Sequence, residues 1–222
     1  MKVSRVIGVA AACCLLAGCF EADQDLTVDE DGSATFRTRI AMEASVVQMS
    51  EDDGDFCSPE EVPAVDGVSV EQESFAEGSM EVCTVTASGP IDRLAEWIEL
   101  DQGPTGADGE MGEAPTIALR REDSDYVFSV HFESSPMEAG ADDPMMEEMK
   151  PMMVAAFAGR SLDWSVSAPE ILETNGQLSE DGKTASYSVP MASLLDEGFK
   201  DRLFEVRFAL DSPGLLKRLL GN

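Results

Sequence analysis

The distinctive side-chain chemistry of this chain lies in five cysteines, one histidine and twelve methionines. Cys19 has the most specific setting. Lys2 and Arg5 precede an apolar run from Val6 to Leu16, which leads into Leu16-Ala17-Gly18-Cys19. Ala17 and Gly18 are small enough for a peptidase to close on the backbone, and the Cys19 thiol is the acceptor for a diacylglyceryl group. After cleavage Cys19 becomes the new N-terminus. Residues 1–18 therefore read as a signal peptide ending in a lipobox. The apolar run is about half the roughly 20 residues that cross a bilayer as a helix, which disfavours an uncleaved anchor. Cleavage after an alanine of Ala10-Ala11-Ala12 is the competing route, and it leaves the Leu-Ala-Gly-Cys string without a purpose. Cys13 and Cys14 read as small apolar residues of the signal core.

Once Cys19 is acylated, Cys57 and Cys83 are the cysteines left in the mature chain. An isolated pair in an exported protein is expected to form a disulfide, since the compartment is oxidising. With a single histidine in the chain the pair makes a poor metal site, and no cofactor is expected. Methionine clusters at Met137, Met145, Met146, Met149, Met152 and Met153. Met145, Met149, Met152, Met153 and Phe157 recur at helical spacing, which is one apolar face of an amphipathic helix. That face has three readings: ordinary core packing, a flexible apolar lid that touches a ligand or lipid, or thioether ligation of copper(I). His131 falls on the polar face of its segment, and no nucleophile sits in a motif such as Gly-x-Ser-x-Gly, so no enzyme is indicated. Asp29-Glu30-Asp31-Gly32 starts like a calcium loop, but Gly comes too early and position twelve is Ile40.

The formal charge is −29; removing residues 1–18 takes Lys2 and Arg5 but no acid, leaving 13 basic and 44 acidic residues and a charge of −31. Nucleic acid and anionic headgroups are repelled by such a surface and are not expected as partners of it. A hydrophobic content of 43% excludes global disorder. Residues 19–222 are expected to form a single extracytoplasmic domain, with acidic mobile loops near 101–114 and 136–143.

The elements that must position these groups are mostly strands. Tyr126, Phe128, Val130 and Phe132 alternate with Val127, Ser129 and His131, the period of a strand with one buried face. Similar strands are predicted over 34–41, 67–73, 80–87, 116–121, 162–167, 184–189 and 203–210. Turn chemistry stands at Asp31-Gly32, Glu77-Gly78, Asp123-Ser124 and Asp181-Gly182. Helices are predicted over 42–49, 91–100 and 144–158. The order implies an α+β fold: a mostly antiparallel sheet built from hairpins, with helices packed on one face. The ending from Pro213 to Asn222, with four leucines around Lys217-Arg218, is too short to span a bilayer.

Pro151-Met-Met-Val-Ala-Ala-Phe-Ala-Gly-Arg160, Trp164-Ser-Val-Ser-Ala-Pro169-Glu170, Thr174-Asn175-Gly176, and Asp181-Gly182 before Tyr187 and Pro190 form a pattern that resembles the LppM-type envelope lipoprotein domain. The stretch from Leu26 to Gly32 looks similar as well. The resemblance is loose over most of the mature chain and specific over about forty residues. It implies a membrane-tethered, non-enzymatic module with a lipid-related role, serving binding or envelope maintenance. The expected function is binding of a hydrophobic ligand or envelope partner at the sheet–helix interface; the alternative is a structural or interaction lipoprotein with no small ligand. Tyr187 stands where that pattern has Trp. The chain ends at Asn222 without the C-terminal transmembrane helix of many relatives, so the N-terminal lipid on Cys19 is the expected anchor. Phe20 follows Cys19 where Asp would signal retention in the inner membrane, so in a two-membrane cell the outer membrane, facing the periplasm, is expected.

Overall fold

The computed structural model describes residues 20–48, 57, 63–101, 115–132, 151, 154, 157–193 and 201–210. Phe20–Val28 (β1) and Ser33–Glu43 (β2) form a hairpin in which Leu26 faces Phe36. Its turn is closed by Asp29 N–H donating to the Ser33 carbonyl at 2.9 Å, with Gly32 at φ 81°. Ser33 donates its hydroxyl to Asp31, which holds that carboxyl below the ordinary carboxylate range. Ser69–Glu77 (β3) and Met80–Pro90 (β4) add a second hairpin, β4 pairing along the whole of β2. Ser161–Ser167 (β7), Thr184–Pro190 (β10) and the two-residue Gln177–Leu178 (β9) complete a seven-stranded sheet in the order β3-β4-β2-β1-β7-β10-β9.

Thr116–Glu122 (β5), Asp125–Phe132 (β6), Arg202–Ala209 (β11) and Glu170–Thr174 (β8) form a second sheet, ordered β5-β6-β11-β8. Alternation points every second side chain of each sheet at the other. Rings bridge the gap: Phe36 to Phe128, Phe132 to Trp164 and Tyr187 to Phe204, with centroids 6.3, 5.2 and 5.4 Å apart. Phe128, Phe204, Val166 and Val206 are fully buried between them.

Ile91–Asp101 (α2) buries Ile91, Leu94, Trp97 and Ile98, one stripe at helical spacing. It packs on β5, β4 and β2 and is pinned by Trp97 Nε1–H donating to the Pro63 carbonyl at 3.0 Å. At its start Tyr126 donates its hydroxyl to Asp92 at 2.9 Å; burial, then that carboxylate, raises the Tyr126 pKa.

The pairing is mostly antiparallel, as expected, with one exception that makes the large sheet mixed: β1 pairs parallel with β7 from Ala22↔Leu162 to Thr27↔Ser167. Two expectations change. The aromatic bridges show that each sheet is covered chiefly by the other, with α2 as an additional piece, so a single sheet under a layer of helices is not the architecture. The helix expected over 42–49 shrinks to Ala44–Val47 (α1), because Met42 is held in ladders on both sides, by Phe20 and by Glu81. Helical periodicity there loses to two rows of inter-strand hydrogen bonds. Most of the helix expected over 144–158 lies outside the described residues, as do 102–114, 136–143 and the ending from Pro213.

Candidate functional site

The chain changes sheets through two very short links, Ala168-Pro169 between β7 and β8 and Asn175-Gly176 between β8 and β9; the second, with Thr174 before it, borders the candidate site. Asn175 substitutes for a strand residue there: its Nδ2 donates to the Leu203 carbonyl at 2.7 Å and its Oδ1 accepts the Glu205 N–H at 2.8 Å. The Thr174 hydroxyl donates to the Glu205 carbonyl and accepts the Gly176 N–H. With the Asn175 N–H donating to the Glu205 carbonyl at 3.3 Å, both backbone N–H groups of the link are satisfied, and β8 and β9 are left as adjacent sheet edges.

An open groove of about 650 Å³ runs along those edges. Leu172, Leu178 and Leu203 line it, 41%, 49% and 44% exposed, and they are three of the five large exposed hydrophobics among the described residues. Ile171 lies beside them, and Glu173 and Arg207 give the groove a polar rim. Nearby, Glu205 and Glu122 share Arg120 at 3.3 and 2.9 Å, and Arg207 reaches Glu122 and Asp125. The hydrogen bond from Arg120 lowers the Glu122 pKa. On the other side of the link a second groove, about 660 Å³, has mixed walls, with Asp23, Asp25, Arg37 and Asp163 beside Trp164 and Tyr187.

Among the described residues, those singled out in the sequence do not assemble into one site. Cys57 and Cys83 are joined, with Sγ atoms 2.00 Å and Cα atoms 5.5 Å apart, on the stretch of β4 that faces Ile40 and Ser74. Cys19, Met145, Met149, Met152 and Met153 lie outside the described residues. Phe157 is half-buried in a turn closed by Arg160 N–H to the Phe157 carbonyl, and it is not among the residues lining the leucine groove. His131 Nε2 meets Asp201 Oδ1 at 2.8 Å, an exposed polar bridge across the ends of β6 and β11. No group of three metal-ligating side chains occurs among the described residues. The leucine groove was missed in the sequence because its three leucines come from three strands, and no local spacing connects them. Thr174-Asn175-Gly176 was the one available signal.

No family model matches the chain, and no curated protein matches it. Among solved structures, the NMR structure of the folded domain of Mycobacterium tuberculosis LppM superposes with a TM-score of 0.51, covering 89% of this chain and 93% of that one. The chain has the LppM fold. Identity is 12%, so the likeness is one of fold. It extends over both sheets, well beyond the forty residues on which the sequence pattern is specific. Tyr187, the departure from that LppM pattern, keeps an aromatic bridge, stacking on Phe204 at an 8° interplanar angle and standing 6.4 Å from Trp164. Among the described residues no helix is long and apolar enough to cross a membrane.

Proposed function

We propose that this protein is an envelope lipoprotein, cleaved before Cys19 and acylated there, whose domain is non-enzymatic and binds an apolar group of an envelope partner or lipid in the leucine groove. The observation that carries the binding reading is the convergence of Leu172, Leu178 and Leu203 on one groove, since contiguous exposed apolar surface marks an interaction site more reliably than scattered leucines do. The lipobox supports the anchor, and the LppM fold supports the envelope setting. Strong net negative charge argues against nucleic acid as a partner.

The groove is open, and the space between the sheets is filled by aromatic rings. That arrangement favours an occupant laid along the edges of β8 and β9, such as an apolar segment of an envelope protein, over a lipid enclosed in the core. Leu172→Lys combined with Leu178→Lys leaves the inter-sheet contacts in place. The pair of substitutions is expected to abolish binding of an apolar fluorescent probe and, in cells, a discrete photo-crosslink from position 203. Undiminished probe binding and an unchanged crosslink would refute the groove as the site.

A further inference from the structure

The strand at the centre of the large sheet starts at the residue after the acylation position. Phe20 is already in register with Met42, and Glu21 already pairs with Ala41. A lipid on Cys19 thus has no spacer: one Cα–Cα step of about 3.8 Å separates the acylated residue from the folded domain. We propose that the end of the sheet carrying Phe20, Glu43-Ala44, the Glu77–Met80 turn and Met191 is a membrane-contact surface, seated on phospholipid headgroups in a fixed orientation. This rests on the reading of Cys19 as the lipidated N-terminus.

The register shows what shares that end. Glu43 faces Met80, the Ala44 N–H donates to the Ser79 carbonyl, Pro190 faces Ser161, and the Met191 N–H donates to the Arg160 carbonyl. Phe20, Met42, Met80 and Met191 are only partly buried there. Among the described residues the acids of this end are partly ion-paired: Arg39 bonds Glu21, Asp23 and Glu77 at 3.2, 3.3 and 2.8 Å and Arg160 also pairs with Glu21, while Glu43 accepts the Ser79 hydroxyl, Asp163 the Ser161 hydroxyl, and Glu81 stands level with Met42. The opposite end has its acids in exposed turns, with Lys183 beside Asp181. It carries Asp29-Glu30-Asp31 in the β1–β2 turn and Glu180-Asp181 in the β9–β10 turn, with Thr27 and Thr184 both level with Ser167. Eight residue steps along β1, at ~3.3 Å each, put about 26 Å between the two ends. The short anchor therefore holds this partly apolar end, where Arg39 and Arg160 pair with part of the acids, against the headgroups and carries the acidic turns about 26 Å away from them.

The test uses the acylated full-length protein in phosphatidylcholine vesicles containing a lipid with a nitroxide headgroup. Ser79→Cys and Glu30→Cys, each labelled with a fluorophore, report the two ends. Quenching is expected to be several-fold stronger at position 79 than at position 30. Inserting about 12 Gly/Ser residues between Cys19 and Phe20, with a reach of roughly 20 Å, is expected to reduce that difference strongly. Equal quenching at the two positions, or a difference that survives the insertion unchanged, would overturn the seating while leaving the lipoprotein reading intact. Absence of lipid on Cys19, read by mass of the N-terminal peptide, would remove both.

Discussion

A Cβ on Gly176 would lie 2.5 Å from the Ser186 carbonyl oxygen and 2.6 Å from the Phe204 ring, closer than real Cβ contacts come. Neither neighbour yields easily, because one is strand backbone and the other a fully buried ring between the sheets. Gly176→Ala is expected to destabilise the domain by about 1–3 kcal/mol through overpacking. A lower urea midpoint at constant m-value is the readout, and an unchanged midpoint would show that the link relaxes freely. Asn-Gly is readable in the sequence as a turn. That this turn must pass between two sheets, and that its Asn completes a ladder with Leu203 and Glu205, depends on residues some thirty positions downstream. The same distance hid the groove: Leu172 and Leu178 are near neighbours in the chain, and Leu203 joins them through β11.

At the level of elements, the Cys57–Cys83 bridge fastens the segment before β3 onto the middle of β4 across 26 residues of chain. Restriction of the unfolded chain by a loop of that length is worth about 3.5 kcal/mol in the chain-entropy model. Cys57→Ala combined with Cys83→Ala is expected to lower unfolding stability by that order, measured by denaturant titration. Stability within about 0.5 kcal/mol of the parent would show that the native state holds compensating strain. Elements with apolar alternation were legible: β2, β6, β7, β10 and β11 fall on segments whose apolar period is close to two, and β3, β4 and β5 were also expected as strands. β1 was harder to read, because Gln24 occupies an inward position and uses it to accept the Trp164 indole N–H at 2.6 Å. A polar residue at that point breaks the apolar alternation, and its partner is 140 residues away. The brief β8 and β9 carry too few residues to show a period at all.

On the scale of the whole molecule, Cys19→Ala is expected to abolish lipid labelling and to leave the precursor unprocessed. The wild-type protein, with Phe20 after its acylated cysteine, is expected to fractionate with the outer membrane of a two-membrane cell. Normal processing of the variant would defeat the lipoprotein reading, and recovery with the inner membrane would defeat the sorting step alone. These expectations come from contiguous residues, and the sequence by itself suffices for such features. A lipobox is recognised as an extended peptide, a hairpin turn depends on backbone preferences of two or three residues, and net charge is a sum over the chain. Partnership between distant segments is of another kind. The parallel pairing of β1 with β7, the closure of one sheet on the other and the meeting of three leucines at two sheet edges are selected by the burial of rings such as Phe128, Phe204 and Trp164. That free energy depends on which segments meet in space, so only the tertiary structure decided it.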